Sequence, residues 1–136
     1  MEKQILYIDS DMASYILISE ILRNSNVKIT HCKCGTSAIL LFKKYPTFDL
    51  VITEIILPRA NGFTILNEIR KVKPDVSIIA QTASVLDNME KRCLEAGFTE
   101  YVPKPIDLRK FISIIQTIFK ENDNSSTKSI CIRGNF

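Results

Sequence analysis

Five polar side chains follow apolar segments of this sequence, at the positions where buried strands would end. Asp9 and Ser10 follow "QILYI", Glu54 follows "LVIT", Thr82 ends "VSIIAQT", and Lys104 comes two residues after "YV". Two carboxylates can hold a hard cation such as Mg²⁺, which binds oxygen ligands and usually keeps several waters. A lysine and a threonine can then bind the oxygens of a phosphoryl group. No glycine-rich phosphate loop follows the first segment, so the pattern disfavours nucleotide binding.

These side chains can meet only if the apolar segments form one sheet. Segments with apolar residues at helical spacing alternate with five short strand-like runs, at residues 4–8, 27–32, 50–53, 76–82 and 101–102. Strands that are apolar on nearly every residue are typical of a parallel sheet covered on both faces. The pattern therefore predicts a three-layer, doubly wound α/β domain. In such sheets ligands bind outside the carboxyl ends of the strands, where the five polar residues lie.

Length and composition fit a single globular domain. The chain has 136 residues, of which 46% are hydrophobic and 24% charged, with a formal net charge of +3. We expect a folded domain over residues 1–121 and a polar tail or truncated linker over 122–136. No apolar run reaches the eighteen or so residues of a membrane span, and the N-terminus does not resemble a signal peptide. The basic residues are scattered, so we expect a cytoplasmic protein with neither a nucleic-acid nor a membrane partner.

Four stretches, in order and at matching intervals, resemble the receiver domain of two-component response regulators. They are "ILYIDSD", "DLVITEIILPRANG", "QTAS" and "GFTEYVPKP". The resemblance spans roughly residues 4–120. It implies a (βα)5 flavodoxin-like fold with a parallel five-stranded sheet of order 2-1-3-4-5, and a role in phosphorelay signal transduction.

The resemblance also implies a role for each residue of the pattern. Glu54 stands at the phosphoacceptor position and Tyr101 at that of the switch aromatic. Thr82 and Lys104 would bind the phosphoryl group. Asp9 stands at the position of the first acidic residue of the family pattern. For a metal ion, the resemblance implies Asp9, Glu54 and the backbone carbonyl of Ile56 as ligands. It further implies a cis peptide bond between Lys104 and the proline that follows.

Two residues depart from the family pattern. Ser10 stands where a second acidic metal ligand is usual, so its contribution to metal binding is expected to be weak or lost, and Mg²⁺ binding to be weak. Glu54 is one methylene longer than the usual aspartate, and phosphoryl transfer depends on alignment. Ser10 and Asp11 are also candidate helix caps. We expect the Glu54 carboxylate to pair with Lys104 or to accept a hydrogen bond from Thr82.

The preferred hypothesis is a pseudo-receiver with lost or impaired phosphorylation, which acts by protein–protein interaction and is not an enzyme. Its partners would be a histidine kinase or phosphotransfer protein and a downstream signalling protein, and the apolar run "YILI" (15–18) is a candidate contact surface. The domain would be a monomer, or a homodimer through its fourth helix, fifth strand and fifth helix. The alternative is a working phosphoacceptor, in which Glu54 or Asp9 takes a phosphoryl group from a histidine kinase with Mg²⁺. A small α/β enzyme or flavin-binding domain is a third possibility.

Overall fold

The computed structural model describes residues 2–84, 86 and 88–122, in which five strands alternate with five helices. The strands are β1 (Lys3–Ile8), β2 (Val27–Cys32), β3 (Leu50–Glu54), β4 (Ser77–Thr82) and β5 (Glu100–Pro103). The helices are α1 (Met12–Ile21), α2 (Gly35–Lys44), α3 (Gly62–Val72), α4 (Met89–Ala96) and α5 (Leu108–Asn122). The predicted tail, 122–136, starts at the last residue of α5, and residues 123–136 lie outside the described part of the chain.

The five strands form one sheet of order β2-β1-β3-β4-β5, and every pairing is parallel. The predicted order 2-1-3-4-5 is therefore confirmed. Each helix connects two parallel strands or follows the last one, as the alternating pattern of the sequence requires. None of the helices in the described residues has the length and apolar character needed to cross a membrane.

Both faces of the sheet are covered by helices, which confirms the three-layer architecture. Every residue of β3 and β4 is buried. One core lies on the side of α2, α3 and α4 and includes Phe42, Leu66 and Cys93. The other lies on the side of α1 and α5 and includes Ile18 and Phe111. Strands enclosed on both faces cannot show a polar face, which explains why their sequences are nearly continuous apolar runs.

Local signals fix the ends of two helices, α1 and α4. Asp11 is the N-cap of α1, and its carboxylate accepts a hydrogen bond from Ala13 N at 3.0 Å. Of the two residues predicted as caps, Ser10 and Asp11, the second therefore fills this role. Gly97 ends α4 with a φ of 116°, a left-handed conformation that favours glycine. The Asp11 cap follows β1 at the sheet edge where the site lies, whereas Gly97 lies at the opposite edge, where α4 leads into β5.

The loop between β3 and α3 is held by close backbone approaches at two glycines. A Cβ atom at Gly35 would lie 2.3 Å from the carbonyl oxygen of Ala60. A Cβ atom at Gly62 would lie 2.9 Å from the carbonyl oxygen of Glu54, and Gly62 N donates to Ile55 O at 2.8 Å. Any larger residue at either position would displace backbone. These contacts fix the chain that follows Glu54.

Candidate functional site

The site is built around three charged side chains at the carboxyl ends of β1, β3 and β5. Lys104 Nζ lies 2.7 Å from Asp9 Oδ2 and 3.2 Å from Glu54 Oε1. Asp9 and Glu54 are 1% and 7% exposed, so both acids are buried. We call these three residues the charge triad. One ammonium group bridges two carboxylates that come from different strands.

The electrostatics of the charge triad favour ionised side chains. Burial alone would lower the pKa of Lys104, but the hydrogen bond and charge of Asp9, together with Glu54, outweigh it and hold this pKa above its usual value. Charges that are buried this deeply persist only when they are paired and hydrogen-bonded. The triad therefore carries one positive and two negative charges in a nearly enclosed space.

The Glu54 carboxylate folds back onto the loop that follows it. Its Oε2 atom accepts hydrogen bonds from the backbone N–H groups of Ile55, at 2.6 Å, and Ile56, at 3.2 Å. Its other oxygen faces Lys104. Of the two contacts expected for Glu54, the structure thus contains the one with Lys104. Thr82 is buried at the same edge, but its hydroxyl accepts a hydrogen bond from Ser84 N at 3.1 Å, and no hydrogen bond joins it to Glu54.

The remaining residues of the predicted site lie at the rim. Tyr101 is half-buried on β5 and packs against the core on the α2–α4 side, and burial raises the pKa of its phenol. Ser10 is exposed in the loop before α1, and Ile56 is 64% exposed. The peptide bond between Lys104 and Pro105 is cis.

The carboxylate oxygens that a Mg²⁺ ion would need already have partners within the protein. All four carboxylate oxygens of Asp9 and Glu54 already accept a hydrogen bond or an ion pair from the protein. Asp9 Oδ1, for example, accepts from Asp11 N at 2.9 Å. Among the described residues, no group of three or more His, Cys, Asp or Glu side chains is arranged to hold a metal ion. A carboxylate oxygen with one donor keeps a second lone pair, so Asp9 and Glu54 can still offer oxygen ligands to a cation, whereas Ser10 supplies only a hydroxyl.

Three residues that the sequence analysis did not single out contact the charge triad. Tyr7 and Gln81 are both 0% exposed, and both lie within hydrogen-bond distance of Asp9 Oδ2. His31 also reaches Asp9, with Nε2 at 2.8 Å from its backbone oxygen, and its ring stacks on Tyr15 with centroids 4.2 Å apart. The only sequence signal for Gln81 was a polar residue inside an otherwise apolar run.

An open cavity of about 470 Å³ adjoins the triad, between α1 and the loop that follows β5. Lys104 lies on its wall together with Leu17 and Ile106. Within the run 15–18, Ile18 is fully buried, whereas Ile16 and Leu17 are 54% and 39% exposed. The run therefore presents apolar surface next to the cavity, as its sequence indicated.

Comparisons with known proteins agree with this fold. The receiver domain protein of a response regulator from Clostridium thermocellum superimposes with a TM-score of 0.81 at 22% identity, covering 91% of this chain and 99% of that one. The receiver domain of sensor histidine kinase PA1611 from Pseudomonas aeruginosa, with a magnesium ion in its active site cleft, gives 0.76 at 26% identity, covering 86% and 97%.

Similarity in sequence points to the same family. The DNA-binding transcriptional regulator NtrC from a Bradyrhizobium strain is 31% identical over 112 residues, which are 82% of this chain but only 23% of that relative. The chain thus spans about a quarter of this curated relative. The family model described as the response regulator receiver domain matches residues 5–116. The chain belongs to the response regulator receiver domain family of two-component signalling systems.

Proposed function

We propose that this receiver domain is a pseudo-receiver, in which phosphorylation is lost or strongly impaired and signalling proceeds through protein–protein contact. The observation that supports this most directly is the bridging of Asp9 and Glu54 by the Lys104 ammonium. In a working receiver the corresponding lysine would bind a phosphoryl group. Here its charge is already matched by two buried acids.

The position of Glu54 is also unsuited to phosphoryl transfer. One of its oxygens accepts two backbone N–H groups and the other faces Lys104, so both are held away from an incoming donor. Phosphoryl transfer depends almost wholly on alignment and charge placement, and a displacement on the order of 1 Å can cost about a hundredfold in rate. The extra methylene of Glu54 introduces a displacement of that order.

Weak Mg²⁺ binding would slow the reaction further. Asp9, Glu54 and the Ile56 carbonyl would hold the ion, with little or no help from Ser10. A bound Mg²⁺ would neutralise charge on the phosphoryl oxygens. With a hydroxyl in place of a third carboxylate, the attraction for the ion falls.

Partner binding is the function that remains. The exposed Ile16 and Leu17 on α1, next to the cavity, suit an apolar contact with a histidine kinase or phosphotransfer protein. A downstream signalling protein, or a second copy of the chain, would bind the face of α4, β5 and α5, where Leu94 is 44% exposed. Such a protein would act in the cytoplasm as a signalling module and not as an enzyme.

The alternative is a working phosphoacceptor, and the presence of Thr82, Lys104 and Asp9 at one sheet edge favours it. Incubation with acetyl phosphate and Mg²⁺, followed by intact-mass measurement, separates the two. A stable added phosphoryl mass mapped to Glu54 or Asp9 would reject the pseudo-receiver. The double substitution Ser10→Asp, Glu54→Asp should restore labelling, and its failure to do so would contradict our account of the site.

A further inference from the structure

A buried polar pair lies inside the sheet next to the charge triad. The Tyr7 hydroxyl is 3.3 Å from Asp9 Oδ2, and Gln81 Nε2 is 2.5 Å from that hydroxyl and 3.4 Å from the same carboxylate oxygen. Tyr7 is on β1 and Gln81 on β4, two strands that are separated by β3 in the sheet. Asp9 Oδ2 therefore receives two neutral donors from the sheet as well as the ammonium of Lys104.

The direction of each hydrogen bond follows from the neighbours. If the amide of Gln81 were reversed, its carbonyl oxygen would face Asp9 Oδ2 and the two acceptors would repel each other. The two amide N–H groups therefore point towards Tyr7 and Asp9. The Tyr7 hydroxyl accepts from Gln81 and donates its own proton to Asp9.

This polar pair lowers the stability of the sheet interior. The three residues before Gln81 in β4 are Ile78, Ile79 and Ala80, all buried and apolar. Gln81 Oε1 is buried and has no hydrogen-bond partner among the described residues. An unpaired buried acceptor reduces stability, whereas a β-branched apolar residue at this position would pack without that penalty. A polar pair that opposes stability at this place indicates a role at the neighbouring Asp9 carboxylate.

We propose that Tyr7 and Gln81 are positioning residues, which hold the ionised Asp9 carboxylate in the orientation that directs Oδ2 at Lys104. The other oxygen, Oδ1, is held by Asp11 N, so both ends of the carboxylate are fixed. Neither positioning residue takes part in an ion pair of the triad. The proposal goes beyond the proposed function, because it holds whether or not Glu54 accepts a phosphoryl group.

Proton exchange of the Lys104 ammonium tests this proposal. In ¹⁵N-labelled full-length protein, an ammonium held by two buried carboxylates gives a slowly exchanging signal, which the variant Lys104→Met identifies by its loss. Tyr7→Phe removes one oxygen atom and Gln81→Met removes the amide at similar length. Each should speed exchange about fivefold, the factor that one neutral hydrogen bond is worth. The control Tyr45→Phe, at a tyrosine that is 51% exposed, should leave the rate unchanged.

Each outcome of this experiment decides the matter. An unchanged exchange rate in folded Tyr7→Phe would overturn the proposal, as would a wild-type protein without a protected Lys104 signal. An equal change in Tyr45→Phe would do the same, because the effect would then not depend on Asp9. If Gln81→Met does not fold, Tyr7→Phe decides alone, since it keeps the buried ring. Labelling by acetyl phosphate is read separately, so the proposed function and this proposal can fail independently.

Discussion

Replacement of Lys104 by methionine should destabilise the domain strongly. Methionine keeps most of the length and apolar volume of lysine but removes the only cation of the charge triad. Asp9 and Glu54 would then remain buried and close together without a positive partner. Their side chains are 2% and 10% exposed, and that of Lys104 is 13% exposed, so water screens the triad poorly.

The magnitude follows from the cost of uncompensated buried charge. Removal of one partner from a buried ion pair typically costs about 3–5 kcal/mol in the free energy of unfolding. The carboxylates keep their hydrogen bonds from the loop backbone, Tyr7 and Gln81, and they lie at an edge that water can enter. We therefore expect a loss near the lower end, about 3 kcal/mol, which corresponds to roughly 10–15 °C in Tm for a domain of this size.

Urea denaturation followed by circular dichroism at pH 7 measures this loss, provided that the m-value is unchanged. Lys91→Met is the matched control, because Lys91 is 73% exposed and lies 4.0 Å from Glu95, a geometry worth no more than about 0.5 kcal/mol. Folding raises the pKa of Lys104 above its ordinary value of 10.5. The contribution of Lys104 to the free energy of unfolding should therefore persist up to pH 10.5 and disappear as the pH rises through the pKa of the folded state. A loss at pH 7 no larger than that of the control would refute the reasoning.

Three further predictions concern the surroundings of the site. Gly35→Ala should destabilise the domain by about 1–3 kcal/mol, despite the better helix propensity of alanine, because its Cβ would meet the Ala60 carbonyl; thermal unfolding measures this, and a stabilised variant would contradict the close approach. Asp11→Ala should cost about 1 kcal/mol in urea denaturation through loss of the α1 cap. Hydrogen bonds from Ser14 and Ala13 lower the pKa of Asp11. The stability that the cap contributes should therefore be present above the ordinary pKa of aspartate and be lost as the pH falls through the pKa of the folded state. A destabilisation by Asp11→Ala that persisted in strong acid would argue against capping. Ile16→Ser should weaken binding to a partner kinase or phosphotransfer protein while leaving Tm within a few degrees, and unchanged binding in a pull-down titration would exclude this surface.

The fold could be predicted from the sequence because each of its signals is local. Alternation of strand-like and helical segments gives the number and order of elements, and parallel sheets gather the residues after each strand at one edge. That reasoning placed Asp9, Glu54 and Lys104 at the same edge, where the structure has them in contact. The end of α4 at Gly97 is a signal of the same local kind, because a left-handed cap favours glycine.

The contacts that could not be predicted depend on the direction in which a side chain points and on which residues meet across the sheet. In a strand that is buried on both faces, the sequence carries no alternation that would tell which way Tyr7 points. The contact of Tyr7 with Gln81 joins residues 74 positions apart on strands that are not neighbours. The turn of the Glu54 carboxylate onto the N–H groups of Ile55 and Ile56 depends on loop geometry that no spacing rule gives.

Charge balance links the two departures from the family pattern. Asp9, Glu54 and Lys104 together carry a net charge of −1, and a further carboxylate at position 10 would bring the site to −2, with the added charge at its exposed rim. A divalent cation is the natural counterion for that larger charge, whereas a single ammonium with hydrogen-bond donors from the sheet and loop can balance the smaller one. Under the proposed pseudo-receiver function, the hydroxyl of Ser10 would reduce the need for Mg²⁺, and the longer Glu54 side chain would occupy donors that a shorter one would leave for a phosphoryl group. On this reasoning the two substitutions act together, and restoring the acid at position 10 without shortening Glu54 would add repulsion without restoring the chemistry.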